Sequence, residues 1–360
     1  MHKLSQPARA RRRRIGRFVA VPAALLAGVS VLAACGSSSP AKSSSTAGAA
    51  AHYPVTISNC GTSTTYDKAP TRAVSNDINS TEDMLALGLE KNMVGTFGVL
   101  GDGPVRQPLP PQYEAGFRQV KDVSSNYFTL EPLIGLHPDF LFAGYNYGLE
   151  TGTNLTPQGL AKYGIKVLAL TESCAHVQSS KTSVSIDNTY QDITNLGEIF
   201  GVETRADKLI ASMKAQVAAA QSKIAGQKLV TVFDYDSGQS APFTGPGLAM
   251  VSAEISLGGG TNIFGSLKQS WTSVSWEQVV AAKPQCIIIN DYGTPTAAQK
   301  EKFLETFSAS KNLPAVKNRC FLVLSYDEVT PSPRNAQAVA AIAKWLHPSA
   351  FGLPADGSGS

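Results

Sequence analysis

Two rings two residues apart in a glycine-bounded loop, "GYNYG" at 144–148, form the most promising ligand-holding stretch of this chain. Other candidates accompany them. The loops after predicted strands offer Asn79, Phe97, Tyr127, Phe128, Tyr145 and Tyr147 in the first half. In the second half they offer Tyr235, Phe243, Trp271, Tyr292, Tyr326 and Arg334. Aromatic walls suit a large, partly apolar guest, and tyrosine hydroxyls orient its polar groups. An arginine such as Arg334 favours a carboxylate or an anionic chelate. Taken singly, each ring is equally at home in a core or on a rim. As a set, some of them are expected to wall a cleft.

Catalysis is poorly supplied. There is no Gly-x-Ser-x-Gly elbow and no phosphate-cradling Gly-x-x-x-x-Gly-Lys-Ser/Thr loop. "GGGTN" at 258–262 follows a helical pattern and reads as that helix's end. Asp234 and Asp236 would share one face of a strand, but a carboxylate dyad needs more than that spacing. Beyond the leader the histidines are His52, His137, His176 and His347. All four read as structural, and no CxxC or Cys/His cluster suggests a metal centre. The expectation is a binding protein with no resident metal or cofactor. A secreted α/β enzyme and a non-transport ligand sensor are the competing classes.

The elements that would position these loops alternate. "RAVS" leads into a helix at 80–88, with Ser80 as its cap, Asp83 in its first turn and Gly88 at its end. "NMVGTFG", "PDFLFAGY" and "IKVLALT" read as strands with a helix, "LEPLIGLH", among them. This β/α alternation implies a parallel sheet covered by helices. From 189 to 223 the pattern turns helical, with Ala206, Leu209, Ile210, Met213 and Val217 on one stripe. Strands "KLVTVFDY", "QCIIIND" and "CFLVLSY" then alternate with further helices. The reading is α/β: an N-terminal lobe at 53–188, a helical segment with one long backbone helix at 189–225, a C-terminal lobe at 226–348 and a tail at 349–360. A stiff helix between lobes implies a small rocking motion about a preformed cleft. In open α/β sheets ligands bind beyond the carboxyl ends of strands, so two facing lobes make that cleft.

The ends of the chain carry their own signals. Residues 1–17 hold seven basic side chains and no acid, and Phe18 to Ala34 is apolar or small. That order reads as a secretory signal peptide over 1–34; an uncleaved anchor helix is the plainer alternative. The run 35–52, rich in Ser, Ala and Gly, reads as a flexible tether. The whole chain has 31 Lys+Arg and 27 Asp+Glu. Without the leader, 24 bases face 27 acids, a net −3, and no basic surplus remains to bind nucleic acid. Four cysteines follow the leader cysteine: Cys60, Cys174, Cys286 and Cys320. In an oxidising compartment they predict two disulfides. Of three possible pairings, Cys60–Cys174 with Cys286–Cys320 keeps each bond inside one lobe; buried free thiols are the alternative.

Leu32-Ala33-Ala34-Cys35 resembles the bacterial lipobox, which implies cleavage before Cys35, a lipid on its thiol and residence on the outer face of the cell membrane. Six segments carry a wider resemblance: "YDKAPTRAVSNDINSTEDMLALGLEKNMVGT", "FTLEPLIGLHPDFLFAG", "TYQDITNLGEIFGVETRADKLI", "ISLGGGTNIF", "VSWEQVVAAKPQCIIIND" and "SPRNAQAVAAIAKWLHP". In this order they resemble the substrate-binding lipoproteins of ABC importers for iron-siderophores, haem and cobalamin. The resemblance spans most of residues 53 to 348. It implies two mainly parallel α/β lobes joined by one backbone helix, the class III periplasmic-binding-protein arrangement. It also implies a monomer that serves an ABC permease and its ATPase. The ligand would be a ferric siderophore or similar chelate, or else haem, cobalamin or a deazaflavin-type cofactor precursor. In that family a surface glutamate on each lobe meets permease arginines, and the matching positions here are Glu131 and Glu277. Two ordinary first-turn acids are the plainer reading of that pair.

Overall fold

The computed structural model describes residues 53–99, 109–178 and 183–354, all within one compact unit, Ala47–Ser360. The leader, Cys35, the tether with His52, and residues 355–360 lie outside the described residues. The strands are β1 (Val55–Asn59), β2 (Thr62–Tyr66), β3 (Ala73–Asn76), β4 (Met93–Phe97), β5 (Asp122–Ser124), β6 (Phe140–Tyr145), β7 (Gly148–Leu149), β8 (Lys166–Ala169), β9 (Val230–Tyr235), β10 (Phe243–Thr244), β11 (Gly260–Asn262), β12 (Thr272–Ser273), β13 (Cys286–Asp291) and β14 (Phe321–Ser325). The α-helices are α1 (Ile78–Ala86), α2 (Pro111–Phe117), α3 (Leu130–Gly135), α4 (Pro157–Ala161), α5 (Asp187–Phe200), α6 (Glu203–Lys223), α7 (Met250–Leu257), α8 (Trp276–Ala282), α9 (Ala297–Thr306), α10 (Pro314–Lys317), α11 (Tyr326–Val329) and α12 (Asn335–Leu346).

The first half is a parallel sheet in the order β5-β4-β3-β6, with β7 and β8 both paired to β6 and an antiparallel β1–β2 hairpin beside it. The second half is a parallel sheet in the order β11-β9-β13-β14. The central strands are mostly apolar because helices cover both faces, with buried polar residues such as Ser75, Asn76, Asp234 and Asn290 toward their carboxyl ends. Every residue of β6 is buried. Its side chains alternate between two cores: Phe140 and Phe142 join Met84, Leu196 and Phe200, while Leu141, Ala143 and Tyr145 join Leu133 and Leu160. In the second sheet Phe233, Tyr235, Ile287 and Ile289 face one core, and Val232, Ile288 and Leu324 face the other. Fully burying each large side chain contributes roughly 1.5–3 kcal/mol.

Helices α5 and α6 carry the chain from the first sheet to the second. At about 1.5 Å per residue, the 21 residues of α6 reach about 31 Å. Its Ala206, Met213 and Val217 are buried as a stripe, joined by Ala220, and it packs on α5 and α12. The corner before it is tight. Gly201 ends α5 in the left-handed conformation, and a Cβ on Gly197 would sit 2.7 Å from the Ala206 Cβ.

Three details differ from the sequence reading. Helix α1 starts earlier than expected, and Asp77 caps it in place of Ser80, its Oδ1 accepting from the Ile78 N–H at 2.8 Å. Gly258 does end α7, but Gly260–Asn262 continue as strand β11, paired with Val230–Val232 at the sheet edge. The hairpin β1–β2 is an addition to the sequence reading: β1 alternates Val55 and Ile57 with Thr56 and Ser58, but β2 is threonine- and serine-rich with one apolar anchor, Tyr66. The cysteines are joined as Cys60–Cys174 and Cys286–Cys320, one bond in each half.

Candidate functional site

A cavity of about 520 Å³ lies between the two halves. Most of its wall comes from residues beyond the carboxyl ends of strands; Phe243, Ser270 and Trp271, at the start of β10 and just before β12, are the exceptions. Asp77 follows β3, Gly98 follows β4 and Tyr127 comes after β5. Asn146 and Tyr147 follow β6, and His176 comes after β8. Across the gap, Asp236 follows β9, Tyr292 follows β13 and Tyr326 follows β14.

The first wall is organised around Asp77. Its backbone sits at φ 79°, ψ 154°, a region that costs a non-glycine residue of order 1–3 kcal/mol. Three donors hold the carboxylate in place: the Ile78 N–H on Oδ1, and Tyr127 Oη and Tyr326 Oη, each donating to Oδ2 at 2.7 Å. The two phenol oxygens are 3.3 Å apart. Tyr326 belongs to the second half, so this cluster ties the halves together at the cavity. Burial pushes the Asp77 carboxyl above its ordinary range, and the three hydrogen bonds pull against that shift. Nearby, Asn146 Nδ2 lies 3.0 Å from His176 Nδ1.

The second wall is mostly ring surface. Phe243 and Trp271 stack with centroids 6.2 Å apart and planes 19° from parallel. The short antiparallel ribbon of β10 and β12 carries them, with Trp271 just before β12. Tyr292 donates to Asp236 Oδ1 at 3.3 Å, and Ser237 Oγ donates to the same oxygen at 2.8 Å. Behind Tyr292, Lys300 Nζ lies 3.7 Å from the ring centroid and donates to the Asn290 carbonyl. Burial raises the Asp236 pKa and lowers that of Lys300.

Of the residues singled out in the sequence, Tyr127, Tyr147, Phe243, Trp271, Tyr292 and Tyr326 line this cavity. Others do not. Phe97, Tyr145 and Tyr235 are the last residues of β4, β6 and β9, and their side chains fall on sheet faces inside the cores. Phe128 packs edge-on to Phe97 and is buried with it. Asn79 is buried inside α1. Arg334 stands before α12, paired with Asp327, with Glu328 at 3.4 Å and with Glu82 at 3.9 Å. It serves buried acids, one of which, Glu82, burial pushes up to about 10. Sequence reasoning missed Asp77, Asn146, Asp236 and Ser270 as wall residues and read His176 as structural. The usable signal was position, the residue directly after a strand's end, more than ring type.

The other singled-out residues sit elsewhere. Asp234 is buried, its Oδ2 accepting from the Gly245 N–H at 2.7 Å, while Asp236 lies at the cavity. His347 is buried with Nε2 3.1 Å from the Gly259 carbonyl. Glu131 and Glu277 are exposed in the first turns of α3 and α8. The Glu277 carboxyl is held below its usual range by a hydrogen bond from its own backbone N–H and one from Ser275. Among the described residues no group of three His, Cys, Asp or Glu is placed to hold a metal ion. No described helix is long and apolar enough to cross a membrane.

Two parallel α/β lobes, one long connecting helix and a ring-walled cavity at facing strand ends define a binding-protein architecture. The periplasmic binding protein family matches residues 74–326, and the chain belongs to it. An uncharacterized ABC transporter substrate-binding lipoprotein of Bacillus subtilis, YvrC, is 25% identical over 91% of this chain and 97% of its own length. A vitamin B12-binding protein of Photorhabdus laumondii is 27% identical over 66% of this chain and 76% of its own. The crystal structure of a periplasmic binding protein from Veillonella parvula superposes with a TM-score of 0.70 at 27% identity, covering 82% of this chain and 97% of that one.

Proposed function

We propose that the chain is the extracytoplasmic substrate-binding lipoprotein of an ABC importer, tethered to the membrane through a lipid on Cys35. It captures a ferric siderophore or similar metal chelate between its halves and hands it to a permease powered by its ATPase. The observation that carries this reading is the cavity itself: about 520 Å³, with six rings drawn from both halves at strand ends. That size falls within the range of small-molecule sites, roughly 300–1,000 Å³. The kinship with a substrate-binding lipoprotein over nearly the whole chain supports it. In this reading Glu131 and Glu277 engage basic residues of the permease, setting register more than affinity.

Two experiments test it. Tryptophan-fluorescence titration with ferric siderophores, haem and cobalamin should give saturable binding to at least one; failure of the whole panel would sink the reading. The double variant Glu131→Ala/Glu277→Ala should impair uptake by cells while leaving soluble binding intact, and an equal loss of binding would remove the docking role. Cobalamin is the second reading, favoured by the vitamin B12-binding relative, and the same titration separates it.

A further inference from the structure

The charge of the cavity wall points to the class of guest. Among its described residues the acids are Asp77 and Asp236, His176 is the one basic side chain, and no Lys or Arg contributes. The arginine that the sequence offered, Arg334, is committed to Asp327, Glu328 and Glu82. Lys300 stands behind the Tyr292 ring and turns to the Asn290 carbonyl, so it offsets Asp236 from outside the wall. Among the described residues no cation gives Asp77 that support. Its neighbours are two phenols, one N–H and a further acid, Asp327. A helix N-terminus ordinarily attracts an anion, but at α1 the chain's own carboxylate already fills that place.

We infer that this site takes a neutral or positively charged chelate, with any ammonium of the guest turned toward Asp77 or Asp236, and discriminates against anionic chelates. The inference rests on the ferric-chelate reading above. A ferric ion held by three singly charged hydroxamates has no net charge, and an appended ammonium makes the complex cationic. Three doubly charged catecholates leave it strongly anionic, and that charge would approach two poorly solvated carboxylates. The Phe243–Trp271 stack meets the apolar flank of either guest alike, so the acids decide.

Three probes test this by titration of the mature chain: ferrioxamine B, which carries a free ammonium, its N-acetyl derivative, which does not, and ferric enterobactin, a tris-catecholate. Ferrioxamine B should bind about tenfold or more tighter than the N-acetyl form, the scale of a charge-assisted hydrogen bond, and ferric enterobactin should bind most weakly. Asp77→Asn and Asp236→Asn should shrink the first ratio, and asparagine keeps the side-chain shape at position 77 with an oxygen able to accept from the Ile78 N–H. Should Asp77→Asn fail to fold, the wild-type series and Asp236→Asn still decide. Equal binding of the two hydroxamates, or tighter binding of ferric enterobactin, overturns this inference and leaves the importer reading standing. No binding of any of the three, with haem or cobalamin bound instead, overturns the ferric-chelate reading and this inference together.

Discussion

Asp77 and Asp236 occupy matching places, each the residue after a strand end on opposite walls of one cavity, yet they are built differently. Asp77 is 3% exposed, sits in a backbone region that disfavours side chains, and is gripped by three donors from both halves. Asp236 is half-buried, has no positive φ and is backed by Lys300. The rings differ likewise: Tyr127 and Tyr326 point hydroxyls at one carboxylate, whereas Phe243 and Trp271 offer flat surface on a two-residue ribbon. The first wall is a fixed polar pole, and the second is an apolar platform with a half-buried acid held by Ser237 and Tyr292. The contrast assigns orientation and charge preference to the first and contact area to the second.

Removal of the disulfides should produce the largest change and compares the halves directly. Cys60–Cys174 spans 114 residues and Cys286–Cys320 spans 34. On loop entropy alone, their loss costs about 5 and about 4 kcal/mol respectively. Urea unfolding of the two Cys→Ala pairs should therefore show the first half hurt more; the reverse order would mean that strain or residual unfolded structure dominates. Next is Trp271→Ala. Losing a central ring at a binding surface costs about 2 kcal/mol or more, or about thirtyfold in Kd, with little effect on folding because Trp271 is only half-buried. Unchanged affinity would remove the platform role.

Smaller effects separate the two acids. Tyr326→Phe deletes a 2.7 Å bond to a buried carboxylate that no cation among the described residues supports, and should lower stability by about 1.5 kcal/mol. Tyr292→Phe deletes a 3.3 Å bond to Asp236, which Ser237 and Lys300 still support, and should cost less than half as much. Equal losses would erase the distinction drawn above. The last comparison is one of pH dependence and concerns the seam behind the cavity, where Glu172 Oε1 accepts from the Met250 N–H across the halves. Burial raises the Glu172 carboxyl from 4.5 to about 8. Because the folded state holds this proton more tightly than the unfolded chain, the stability it contributes is complete below pH 4.5. That contribution declines as pH rises toward 8, by on the order of 1 kcal/mol per pH unit. Glu172→Gln should flatten the slope, measured by unfolding midpoints from pH 4.5 to 8.

Much of the fold was legible because buried parallel strands are apolar runs: "FLFAGY" and "CIIIND" show it plainly, and the stripe of α6 shows at helical spacing. The hairpin β1–β2 was not, because its Thr- and Ser-rich strands carry no such run. At the site, ring type alone misled. Tyr145 and Tyr147 look equivalent in "GYNYG", but the first ends β6 and points into a core while the second lies in the loop that walls the cavity. Asp77 looked like an ordinary strand-to-helix residue, since neither its left-handed backbone nor its partner Tyr326, 249 positions away, leaves a local trace. Arg334 was placed by its charge, yet three acids on two helices claim it, Glu82 of α1 and Asp327 and Glu328 of α11, and a linear reading cannot bring α1 to it.

Native mass spectrometry of the mature chain, purified from the cells that make it, tests the central claim most directly when run beside the double variant Phe243→Ala/Trp271→Ala. The wild-type protein should carry one bound guest of chelate or cofactor size, and the folded variant should have lost it. An empty wild-type protein, or a variant that keeps the same guest, would contradict a site built between the two walls.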